Sequence, residues 1–105
     1  MLLLNIDYIP GKEIGEALGM VKGNVVMSKH FGKDFMAGMK TLVGGEITSY
    51  TEMLNESRQI AIKRMVDEAQ ALGADAVINI RYASASIMQS SAEVIAYGTA
   101  VKIKQ

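Results

Sequence analysis

The sequence predicts a small α+β subunit in which a short antiparallel sheet is packed by one long and one short helix, and in which copies of the chain assemble with one another. Three observations carry this reading. Tyr50 to Leu72 repeats apolar residues at helical spacing, the segments after it alternate as strands do, and the final strand is apolar on both faces.

At 105 residues the chain is one domain, spanning 1–105, large enough to bury about 60–70% of its unfolded surface. Half of the residues are hydrophobic but only 6% are aromatic, so the core must come from Leu, Ile, Val, Ala and Met. The first element is a short strand from Met1 to Ile6, halted by Asp7-Tyr8-Ile9-Pro10-Gly11. A second strand runs from about Leu18 to Met27. Gly19 and Gly23 mark bends or bulges in it, since a helix there would carry glycine at every turn.

The short helix is expected between Phe31 and Val43, where Phe35, Met39 and Leu42 recur at helical spacing before Gly44-Gly45. The long helix covers Tyr50 to Leu72. Ser49 and Glu52 are spaced as a capping box, Leu54, Ala61, Met65, Ala69 and Leu72 form its stripe, and Gly73 supplies the left-handed residue that closes it. Val77 to Tyr82, continuing toward Ile87, and Val94 to Ile103 then pair as antiparallel strands around Gln89-Ser90-Ser91.

The last strand presents Ile95, Tyr97, Thr99, Val101 and Ile103 on one face and Val94, Ala96, Gly98 and Ala100 on the other. A two-layer monomer wets one of these faces, so the second apolar row points to a subunit contact through its small residues. Ile60, Ile62 and Val66 widen the helix stripe in the same sense.

Eleven basic residues balance eleven acidic ones, which leaves no electrostatic footprint for nucleic acid. The absence of cysteine removes disulfides, thiolate metal sites and Cys nucleophiles. The N-terminal apolar run is too short for a signal peptide or a membrane span, and a cytoplasmic protein without a membrane partner is expected.

Among residues that could carry chemistry, His30 and Asp34 stand one helical turn apart and form the candidate metal pair. An exposed position at a helix start is the favoured reading of His30. The eight methionines fit core gaps better than a thioether site for Cu(I). Val43-Gly44-Gly45-Glu46 precedes a helix but lacks the Lys and Ser/Thr of a phosphate loop. Asp67, Glu68 and Asp75 read as solvated acids, with Lys63–Asp67 and Arg64–Glu68 as i,i+4 pairs. No nucleophile–base pair is in evidence, no cofactor is called for, and no enzyme is expected.

Phe31-Gly32-Lys33-Asp34-Phe35-Met36-Ala37-Gly38, Val43-Gly44-Gly45, Tyr50 with its capped helix, Leu72-Gly73-Ala74-Asp75-Ala76-Val77 and Tyr97-Gly98-Thr99-Ala100-Val101 occur in this order. Together they resemble the YbjQ family of small bacterial and archaeal proteins, from about Leu18 to the end. The resemblance implies a dodecin-like or YbjQ-like α+β subunit in a ring-shaped homo-oligomer, typically a pentamer. It also brings the label of heavy-metal binding, and it brings no catalytic residues. Two functions follow as expectations: a non-enzymatic oligomeric scaffold or binding protein, or a soft-metal protein whose ligands are shared across subunit interfaces.

One histidine and scattered thioethers cannot supply four preorganised ligands per chain. Zn²⁺ and Cu⁺ are therefore expected to bind no tighter than about micromolar. A nanomolar, stoichiometric site in calorimetry, lost in His30→Ala, is the result that contradicts this.

Overall fold

The computed structural model describes residues 1–27, 48–88 and 91–105, without the side chains at 48–51, 53, 86–88 and 91. Its four strands are β1 (Leu2–Leu3), β2 (Ile14–Met27), β3 (Ala76–Met88) and β4 (Ser91–Ile103). They form one sheet in the order β1-β3-β4-β2, with helix α1 (Thr48–Ala71) on one face. The short helix expected between Phe31 and Val43 lies outside the described residues.

The sheet is mixed, which corrects the antiparallel expectation. β2 and β3 both run antiparallel to β4, but β1 pairs parallel to β3 through Leu2–Ala76 and Leu3–Val77. β1 and β3 are separated by β2 and α1, a crossover long enough to bring the chain back in the same direction. The N-terminal segment keeps following β3 after its regular pairing ends. The Leu4 amide donates to the Val77 carbonyl at 2.9 Å, and the Asn79 amide to that of Ile6 at 3.0 Å.

The helix ends as the sequence predicts. Gly73 adopts φ 79°, the Ala74 amide donates to the Ala69 carbonyl and the Gly73 amide to that of Gln70, which is the Schellman arrangement. The start differs: α1 begins at Thr48, so Ser49 stands inside the helix rather than at its cap. Leu72, expected on the buried stripe, falls past the helix end and is exposed.

Ala61, Met65 and Ala69 are fully buried against Val21 of β2, Val77 of β3 and Val94, Ala96 and Ala100 of β4. Met65 has no exposed surface, and emptying its place would cost about 2–5 kcal/mol. The closest approach is at Gly23. A β-carbon there would fall onto the Ala61 carbonyl oxygen and the Met65 amide nitrogen, and lie 2.8 Å from Arg64 Cβ. Gly23 is therefore not the bulge the sequence suggests, since its neighbours pair regularly with Tyr97, Ala96 and Ile95. The bulge falls at Gly19, where the register shifts between Ala17 and Gly19 and φ is 117°.

The two apolar rows of β4 also receive a different account. The row of small residues packs inside the chain: Ala96 and Ala100 lie under α1, and a β-carbon at Gly98 would meet the Ile78 carbonyl and Val77 Cγ1 at 2.8 Å. On the reverse face Val101 is buried with Ala76 and Ile78 beneath Ile9, and Leu4 and Ile103 pack at the margin. The N-terminal loop thus caps one end of the reverse face, and the small-residue row is not a subunit contact.

Two glycine substitutions separate packing from backbone conformation. Gly23→Ala is expected to lower stability by about 1–3 kcal/mol, because the helix backbone must move away from β2. Gly73→Val should cost about 1–2 kcal/mol through its left-handed φ alone, since the only neighbours of its β-carbon are Lys102 Cε and Nζ at 3.8 and 4.0 Å. Denaturation midpoints check both, and Gly73→Asn should recover most of the second loss.

Candidate functional site

α1 crosses the sheet above β2, and this offset leaves β3 partly bare on the helix side. The bare stretch begins at a second irregularity. Between Ile78 and Arg81 the register with β4 slips, and Asn79 takes φ 55°, a left-handed value that asparagine tolerates better than branched residues do. The extra residue reverses the alternation of β3. Tyr82 then stands opposite Ala96, whose side chain lies in the core under the helix. Directly opposed residues share a face, so Tyr82 projects on the helix side. It is 52% exposed.

A groove follows on either side of that ring. One part, about 580 Å³, is lined by Leu3, Leu4, Asn5, Ile62, Ile80, Arg81 and Tyr82. The other, about 460 Å³, is lined by Asn55, Arg58, Gln59, Ile62 and Tyr82. Leu3, Leu4, Ile62 and Ile80 make the groove apolar, the polar lining residues are Asn, Gln, Tyr and Arg, and there is no carboxylate among them. The Arg81 guanidinium donates to the Asn5 carbonyl at 2.7 Å and to the Ile80 carbonyl at 3.0 Å, which pins the N-terminal segment to β3. Arg58 donates to Asn55 Oδ1 at 3.1 Å. Such a groove can hold an apolar body carrying acceptors or a negative charge. It has no paired acid and base for turning one over.

His30 and Asp34 lie outside the described residues, as do Met36, Met39 and the Val43-Gly44-Gly45-Glu46 loop. Among the described residues, no three His, Cys, Asp or Glu side chains are grouped to hold a metal ion. Met65 is core as expected, Met20 is 75% exposed, and Met27 accepts a hydrogen bond from the buried Ser57 hydroxyl at 3.0 Å.

The charged groups have structural partners. Lys63 pairs with Asp67 at 3.1 Å, whereas Arg64 turns to the sheet and donates to the Asn24 carbonyl at 2.6 Å. Asp75 is exposed, as expected, and also holds the backbone. Its amide donates to the Val101 carbonyl and its carboxylate accepts from the Ile103 amide, tying the helix exit to the end of β4. Lys104 meets Glu13 at 3.5 Å.

Sequence reading missed the Tyr82 groove because it depends on the reversal at Asn79. The available signal was an asparagine inside a strand of β-branched residues, a position that strands disfavour.

The architecture is that of a small helix-on-sheet α+β protein with an open amphipathic groove. Comparison with known proteins places it further: the chain belongs to the YbjQ family, whose model matches residues 1–104 and is described as "Putative heavy-metal-binding". A UPF0145 protein of Clostridium novyi is 64% identical over 103 residues, covering 98% of this chain and 99% of the relative. Another, from Fervidobacterium nodosum, is 61% identical over 105 residues, covering 100% of this chain and 97% of the relative. A crystal structure of a Pediococcus pentosaceus protein of unknown function, of the DUF74 family, aligns with TM-score 0.67 over 99% of this chain and 98% of its own. At 16% identity it shows a shared fold.

Arg81→Ala should release the N-terminal segment while changing global stability by under about 1 kcal/mol, because the guanidinium is exposed. Hydrogen exchange checks this. The Leu4, Asn79 and Ile80 amides are expected to exchange faster, and those of Val94 and Ala96 to keep their protection.

Proposed function

We propose that this chain is the subunit of a closed homo-oligomer serving as a non-enzymatic binding scaffold in the cytoplasm. The observation that supports this best is the shape of the single chain. Its radius of gyration is 17.0 Å and its extents are 55 × 26 × 16 Å, against about 13 Å for a compact domain of about 100 residues. A thin, long subunit keeps apolar side chains near water: Met20 is 75% exposed, Val26 54% and Tyr82 52%. Closed rotational symmetry is the ordinary way to cover such surfaces, and the family resemblance favours five copies.

The rim of the Tyr82 groove suits a small ligand with an apolar body and acceptor groups. The names of the relatives state no reaction. No described helix is long and apolar enough to cross a membrane. The second reading, heavy-metal binding with ligands shared between subunits, draws its support from the description of the family. His30 and Asp34 are its candidate ligands in this chain.

Light scattering coupled to size exclusion tests the assembly. The expected mass is a whole multiple of 11.3 kDa, fivefold for the ring, at micromolar concentration. A mass of 11.3 kDa would refute it.

A further inference from the structure

We propose that the Tyr82 groove binds an amphipathic carboxylate, a small aliphatic body whose single negative charge is received by the Arg58 guanidinium. This rests on the ligand reading of the groove given above and names the ligand's chemical class.

The walls set the shape of such a ligand. Asn55, Arg58, Gln59 and Ile62 follow one another at spacings of three and four along α1, so they share one of its faces. The part of the groove at Arg58 is polar apart from Ile62 and Tyr82, while the other part adds Leu3, Leu4 and Ile80. Ile62 and Tyr82 belong to both, so one molecule can lie across the two. At about 580 and 460 Å³, each part falls within the range of about 300–1,000 Å³ usual for small-molecule sites. The apolar lining is aliphatic except for one ring, which suits a hydrocarbon body.

The charge of the ligand follows from what the arginines lack. Among the described residues neither Arg58 nor Arg81 has a carboxylate partner, the ion pairs there being Lys63–Asp67 and Lys104–Glu13. The bonds they make go to neutral acceptors, Asn55 Oδ1 for Arg58 and the Asn5 and Ile80 carbonyls for Arg81. Both positive charges are thus left uncompensated. Arg58 is the better receiver. It is half-buried, and with Nη1 bonded to Asn55 it still has donors in a fork that matches a carboxylate. Arg81 spends its Nη1 on two carbonyls that hold the N-terminal segment, so it contributes field rather than contact. Glu52, one turn ahead of Asn55 on the same face, lines neither part. A cation in the groove would meet two like charges.

Calorimetry on the full chain with octanoate, octan-1-ol and octyltrimethylammonium, each below its micelle-forming concentration, tests the class. Octanoate should bind at least about tenfold more tightly than the other two, the margin of a charge-assisted hydrogen bond, and added salt should narrow the gap. Arg58→Gln should erase this margin, and Arg58→Lys should keep part of it, since the charge stays while the fork is lost. Octanoate should also shift the amide resonances of Ile62, Ile80 and Tyr82 and leave those of Ile9 and Met20 in place. Either of the other two compounds binding as well as octanoate, or a margin indifferent to Arg58→Gln, would overturn the carboxylate class and leave an apolar groove standing. Resonance shifts centred on Ile9 or Met20 would overturn the site. Failure of all three compounds to bind would overturn both the site and the ligand reading beneath it, while the native mass would still judge the assembly by itself.

Discussion

The rest of the structure hangs on the approach of α1 to β2 at Gly23. Helix and strand backbones meet there with no side chain between them, and the Ala61 carbonyl and Met65 amide occupy the space a β-carbon would take. Interiors pack at crystal-like density, so the missing side chain decides where the helix axis crosses the sheet. Ala61 and Ala69 repeat the device from the helix side, and Met65, unbranched and adaptable, fills what remains between them. Because the helix packs mainly over β2, it leaves Tyr82 of β3 half exposed. The Tyr82 groove is the consequence.

The sheet is shaped by interruptions of its ladders as much as by their regular parts. At Gly19 a shift bends β2, and at Asn79 another reverses which side chains of β3 face the helix. Ahead of the second, ordinary alternation already lets one strand serve two cores. Val77 packs under α1, while Ala76 and Ile78 pack with Val101 beneath Ile9 on the reverse face. An N-terminal segment with two residues of regular strand adds Ile9 and Leu4 to this second apolar cluster. Its anchors are main-chain bonds along β3 and the Arg81 guanidinium.

Membership of the YbjQ family and the near-complete coverage of relatives tie these features to a recurrent small fold. The charged side chains fit that view. Asp75 and Arg64 satisfy backbone groups at a helix exit and a strand edge, positions that hold the fold together.

Much of this was legible in the residues alone. The long helix, its stop at Gly73, the hairpin of β3 with β4 and the burial of Ala61, Met65 and Ala69 follow from local periodicity and the steric freedom of glycine, which need no knowledge of distant neighbours. The parallel pairing of β1, the covering of Val101 by Ile9 and the true place of the small-residue row in β4 were not legible. The first two depend on segments that meet across more than seventy residues and the third on the helix that precedes the hairpin, and apolar patterning records that a face is buried without recording what buries it. Gly23 shows the division most clearly. Its glycine was visible as an interruption, but only the helix lying against it reveals that the space was needed for a neighbour's backbone rather than for a bend of its own.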